Sequence, residues 1–193
     1  MATDKKNAER LGAHLVFVDE SGFLLIPNVM RTWAPKGQTP LHRHRYRREK
    51  VSVISGITVS PRRQRLGLLF DFHLDNIGAE EACKFLHDLL RHLRGHVIVV
   101  WDNGTPHKGK VIRELCRRFA RLHLEAFPPY APELNPDEGV WRHAKRKLAN
   151  GRPDNVLDLM DSVLDAMIDL DHSPNLLKGC INHSEMPPFL LRP

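Results

Sequence analysis

Residues 97–101 read VIVVW, apolar at every position, with three valines and an isoleucine. A run of this kind implies a strand buried on both faces, the habit of a central parallel strand covered by helices. It ends at Asp102. Residues 14–18 (HLVFV) form a second short apolar run, ending at Asp19. Residues 51–59 (VSVISGITV) and 66–72 (LGLLFDF) read as two strands, and the short polar link SPRRQR makes them an antiparallel hairpin. Residues 123–127 supply a fifth strand.

Between and after these strands the apolar period changes to that of a helix. Ala82, Phe85, Leu86, Leu89, Leu90 and Leu93 share one face of a helix over 79–93, which Gly95 stops. Val111, Ile112, Leu115, Cys116, Phe119 and Ala120 do the same over 108–120. FPPYAPELNP excludes regular structure, because its four prolines each fix φ and remove a donor. A helix over 137–149 follows, with Pro136 at its start. Residues 154–170 form an acidic amphipathic helix whose aspartates read as a solvated face. The fold class is therefore α/β, a mixed five-stranded sheet with helices on both faces. Residues 1–150 are expected to form the main domain. Residues 151–193, the acidic helix and a tail, are expected to pack on it.

At 193 residues the chain suits one domain with a real core. No apolar run approaches the roughly 20 residues that cross a bilayer, so no membrane partner is expected. The first ten residues, MATDKKNAER, lack the apolar segment of a secretory signal, and an intracellular protein is expected. Three dispersed cysteines make no disulfide framework, and the histidines lack zinc-ligand spacing. Charge is uneven. Residues 1–152 carry 27 basic and 16 acidic residues, whereas 153–193 carry two and seven. A basic body suits a polyanion such as DNA.

Asp19 and Asp102 each follow a core strand, where functional groups of α/β sheets collect. Each taken alone is also a plausible turn residue. If the two strands are parallel neighbours, the two like charges stand side by side and call for a cation. Oxygen ligands suit Mg²⁺ or Mn²⁺. A third acid, Glu138, falls in the first turn of the helix after the proline-rich segment, where a carboxylate also complements the helix dipole. Asp137 is its rival. Adjacent helix residues point about 100° apart, so only one of them faces such a site.

FVDESGF, RTWAPKGQTP, VVWDNGTPHK and PPYAPELNPDEGVW together resemble the catalytic domain of bacterial insertion-sequence transposases of the six-thirty family, relatives of mariner elements within the DDE transposases. The resemblance spans about residues 13–150. It implies a ribonuclease H-like fold, metal-dependent DNA cleavage and strand transfer, and a bacterial cytoplasmic protein acting on nucleoid DNA. It assigns the metal-binding acids to Asp19, Asp102 and Glu138. Asp19, fixed most rigidly by the central strand, is expected to bridge two ions. The resemblance also includes a histidine at the place of His107, which would contact DNA, although a loop histidine is the plainer reading. The first catalytic strand begins within 20 residues of the start, so a separately encoded helix-turn-helix part is expected. Pairing two transposon ends implies a homodimer on double-stranded DNA. The alternative is a non-catalytic remnant that binds DNA or dimerises with full-length transposase.

Three basic clusters are expected to surround the acids and neutralise DNA phosphates. They are Arg43, Arg45, Arg47, Arg48 and Lys50; Arg62, Arg63 and Arg65; and Arg142, Lys145 and Arg146 on one face of the Glu138 helix. Solvated surface charge is the competing reading for each. Trp33 and Tyr46 are suited either to stacking on an unpaired base or to packing.

Overall fold

The computed structural model describes residues 10–26, 29–41, 49–102, 104 and 109–187. Five strands form one sheet: β1 (His14–Leu24), β2 (Lys50–Val59), β3 (Leu66–His73), β4 (Val97–Trp101) and β5 (Leu122–Ala126). Their spatial order is β3-β2-β1-β4-β5. β2 pairs antiparallel with both β1 and β3, whereas β4 pairs parallel with β1 and β5. The sheet is therefore mixed. All five residues of β4 are buried, as a both-faced apolar strand requires.

Among the described residues, five α-helices cover the sheet: α1 (Ala79–His92), α2 (Lys110–Arg118), α3 (Asp137–Lys147), α4 (Val156–Asp171) and α5 (Pro174–His183). Alternation along the strands divides the core in two. Val16, Val18, Ile54, Val97 and Val99 pack with Phe85, Leu86, Leu89 and Ile112 of α1 and α2. Leu15, Phe17, Val53, Ile57, Ile98 and Val100 face α3, α4 and α5, meeting Val140, Ala144, Val163, Met167, Leu177 and Ile181. Gly56 lets the first layer close. A Cβ there would stand 3.0 Å from Val16 Cγ1 and 3.4 Å from Phe85 Cζ. Among the described residues no helix is long and apolar enough to cross a membrane.

Two elements depart from the sequence reading. β1 does not end at Asp19 but runs on to Leu24, because β2 is long enough to pair with it as far as Leu24↔Lys50. β4 leaves β1 earlier, after Phe17↔Val100. Asp19 thus lies within a strand, just past the point where its parallel neighbour ends. The other departure is α5, a helix absent from the sequence reading. Its signal was present: Pro174 stands in the first turn, and Leu177 and Ile181, four residues apart, are both buried.

Candidate active site

Register brings the first two acids together. Phe17 of β1 pairs in parallel with Val100 of β4. Two residues further along each chain, and on the same face by the period of two, stand Asp19 and Asp102. The third acid arrives by a different route. After β5 the chain turns back across the strand ends, with the Phe127 N–H bonded to the Trp101 carbonyl at 2.8 Å. The Phe127 ring stacks on Phe17, centroids 6.4 Å apart. Pro132–Leu134 forms a single 3₁₀ turn, and Asn135 then caps α3, its side-chain oxygen accepting from the Asp137 N–H at 3.1 Å. This frame delivers Glu138 to the cleft. Asp19, Asp102 and Glu138 line one cavity of about 390 Å³ with Gly104, Asn135 and residues 127–132. Asp102 and Glu138 are exposed on its walls, and Asp19 is partly buried at its floor.

The electrostatics of the cleft are those of crowded anions. The Asp19 carboxyl is pushed up to about 6, first by burial and then by the charges of Glu138 and Asp102. The Trp141 indole N–H, donating to Asp19 Oδ2 at 2.9 Å, and the Glu20 backbone N–H pull the other way. Trp141 is itself fixed edge-on against Phe23, with centroids 6.1 Å apart. Sequence reasoning missed Trp141. It lies three residues beyond Glu138 on α3, so the helix that presents one acid also orients another.

Asp137 and Glu138 separate as helix geometry requires. Glu138 faces the cleft, while Asp137 is fully buried. Burial, then the Asp19 charge, raises the Asp137 carboxyl well above the usual range, although the Ser55 hydroxyl and the Asp19 main chain oppose this. Neither of its carboxylate oxygens completes a hydrogen bond of good geometry, although Ser55 and the Asp19 main chain stand near.

The donor set is chemically suited to a hard divalent cation: three carboxylates in one cleft, one of them raised first by burial and further by its acidic neighbours. As the side chains stand, they serve the protein's own donors. Asp19 Oδ2 accepts from Trp141, and Asp102 Oδ1 accepts from the Gly104 N–H at 2.8 Å. Among the described residues, no three His, Cys, Asp or Glu side chains already form a metal-binding group.

The basic residues are distributed less simply than expected. Arg142 and Arg146 are exposed on α3, four and eight residues beyond Glu138, and so continue its stripe away from the cleft. Lys145 is half-buried, with its ammonium 6.0 Å above the Phe23 ring. The hairpin cluster stands away from the acids. Val59, where β2 enters the hairpin, pairs with Leu15, whereas Asp19 pairs with Ser55. Four residues at a rise of ~3.3 Å separate the hairpin from Asp19 along β1, about 13 Å. Arg62 is exposed at that far end of the sheet, and Arg63 is only 8% exposed. The Arg63 guanidinium donates to the carbonyls of Ala13 at 3.1 Å and Ser60 at 3.3 Å, so it ties the hairpin to the start of β1 and is not available to phosphate. Arg43, Arg45, Tyr46, Arg47, Arg48 and His107 lie outside the described residues. Trp33 is exposed.

Sheet order and cleft together define a ribonuclease H-like domain with a trio of acids, one in its central strand β1, one directly after its central strand β4 and one from the first turn of α3. The chain belongs to the DDE superfamily endonuclease family, whose model matches residues 14–159. It is 30% identical over 95 residues to the transposable element Tcb2 transposase of Caenorhabditis briggsae, a match covering 45% of this chain and 34% of that protein. The fold is similar to that in a pre-cleavage Mos1 transpososome, with a TM-score of 0.62 and 16% identity, covering 97% of this chain and 61% of that one. It is likewise similar to a Mos1 mariner paired end complex with Mn, with a TM-score of 0.60 and 15% identity over 97% and 61% of the two chains. The chain thus spans about a third of the curated relative and about three-fifths of the Mos1 chains.

Proposed function

We propose that this chain is the catalytic part of an insertion-sequence transposase of the six-thirty type, cutting and joining DNA strands at transposon ends. The observation that carries this reading is the meeting of Asp19, Asp102 and Glu138 in one cleft, from three distant parts of the sequence. Asp19, held by Trp141, would hold Mg²⁺ or Mn²⁺ together with Asp102 and Glu138, two ions being the expected number. Such ions, when bound, activate a water or a DNA 3′-hydroxyl and stabilise the leaving oxygen of an in-line displacement at phosphorus. The protein's own part is to hold the acids on rigid elements. Asp19 is fixed by its pairing with Ser55 of β2 and by the Trp141 indole, and Glu138 by the Asn135 cap and the proline frame. Arg142 and Arg146 would neutralise phosphates leading away from the cut.

The basic body supports double-stranded DNA as the partner. On this reading the chain acts as a homodimer on paired ends, together with a helix-turn-helix part, on nucleoid DNA in the bacterial cytoplasm. The test is Mg²⁺-dependent nicking and joining of oligonucleotides bearing the element's ends. Asp102→Asn and Glu138→Gln are expected to abolish both while leaving the fold intact, and normal nicking by Asp102→Asn would overturn the assignment. The present commitment of Asp19 and Asp102 to internal donors favours a second reading, a DNA-binding remnant. That reading requires that neither Mg²⁺ nor Mn²⁺ raise the melting temperature, with or without DNA.

A further inference from the structure

Tyr130 combines two features that a folded chain ordinarily avoids. Its φ is +57°, in the left-handed region that disfavours residues bearing a Cβ. Its side chain is 101% exposed, so the ring gains nothing from packing. A residue strained in its backbone and unused in the core is conspicuous when it stands on the rim of a functional cleft. Tyr130 lines the same cavity as Asp19, Asp102 and Glu138. Its setting is stiff. Pro128 and Pro129 precede it, Pro132 opens the 3₁₀ turn after it, and both ends are anchored: Phe127 N–H to Trp101, and Leu134 N–H to the Ala131 carbonyl at 3.1 Å. The loop therefore holds an aromatic face out in solvent with little freedom to fold back.

We propose that Tyr130 is a stacking platform for an unpaired nucleobase of the DNA engaged at the acidic cleft. This rests on the proposed function, because it takes DNA as the occupant of the cleft. A base inside a duplex has both faces covered by its neighbours, so an isolated protein ring of this kind selects a base that has left the stack or stands at a strand end. Stacking on an aromatic side chain tolerates any base, since every base has a π-face. Tyr130 is thus a positioning residue: it holds the nucleotide beside the cut, and the acids act on the backbone.

The test separates stacking from folding and from catalysis. Oligonucleotides carrying 2-aminopurine either in a single-stranded overhang or within a duplex are titrated with the full chain in the absence of divalent metal. Wild type is expected to quench the overhang probe. Tyr130→Phe should retain this. Tyr130→Gly should weaken overhang binding roughly ten- to a hundredfold and leave duplex binding unchanged. Glycine accepts the left-handed conformation, so the melting temperature of Tyr130→Gly should not fall. Wild-type overhang binding without quenching, equal overhang binding by Tyr130→Gly, or equal loss on overhang and duplex would each overturn the proposal. The two ideas fail separately. Quenching without any metal-dependent nicking would remove the proposed function alone, and nicking with an indifferent Tyr130→Gly would remove the platform alone.

Discussion

Replacing Asp19 by Asn separates what this acid does for the fold from what it does for function. In the folded chain the carboxyl is raised from 3.8 to about 6. The folded state therefore holds the proton more tightly than the unfolded state. Between those values it binds more protons, so stability falls as pH rises through the window and is lowest above it. At 1.36 kcal/mol per unit, the ionised Asp19 costs about 3 kcal/mol at pH 7.5. About 2 kcal/mol of this arises between pH 4.5 and 7.5, because the unfolded carboxyl is already mostly ionised at the lower pH. Asparagine keeps the shape, and its oxygen still accepts from the Trp141 indole. Asp19→Asn should therefore be more stable than wild type in metal-free buffer at pH 7.5, by up to about 3 kcal/mol, and nearly equal to it below pH 4. Urea unfolding followed by circular dichroism at several pH values reads this directly. Adding Mg²⁺ should then reverse the ranking in part: wild type gains about 1.4 kcal/mol when the ion is tenfold above its Kd, and the variant gains less. A variant no more stable than wild type at pH 7.5 without metal, or an unchanged pH profile, would refute the view that Asp19 is a destabilising anion awaiting a cation.

Other substitutions probe the frame. Asp137→Asn removes a buried carboxyl whose raised pKa also makes stability fall with rising pH. It should be more stable than wild type at pH 7.5 and little changed at pH 4, measured by the same unfolding series. Gly139→Ala would place a Cβ 2.8 Å from the Cys180 Cβ, and the forced separation of α3 and α5 should cost about 1–3 kcal/mol in unfolding free energy. Asn135→Ala should lose about 1 kcal/mol with its cap and lower the nicking rate, since the same cap starts the helix of Glu138. Arg142→Ala with Arg146→Ala should flatten the salt dependence of DNA affinity by a slope of about two. Arg63→Met should leave that slope unchanged while lowering the melting temperature.

Much of the architecture was legible because burial on both faces leaves a plain signature. β4 reads as a central strand from VIVVW alone, and the β2–β3 hairpin from its alternation and polar link. The end of β1 was not legible. Asp-Glu-Ser-Gly looks like a strand terminus locally, and only pairing with a long β2 carries the strand through it. The choice between Asp137 and Glu138 was limited by the same locality. The sequence says that one acid turns away, but the turn of α3 relative to the sheet decides which. Arg63 shows how charge composition misleads: a guanidinium in a run of surface cations is consumed by two carbonyls. Tyr130 gave no periodic signal, because its place depends on a loop conformation and not on a repeating pattern.

The close approach at Gly139 has a consequence for how much chain this chemistry requires. Cys180 presses against the first turn of α3, and the Glu185 N–H, beyond the end of α5, bonds to the Glu133 carbonyl at 2.9 Å, just ahead of Glu138. Residues 180–185 therefore buttress the turn that carries the third acid, although the family match stops at residue 159. A fragment trimmed to that match would keep every carboxylate and still lose the wall against which one of them is braced.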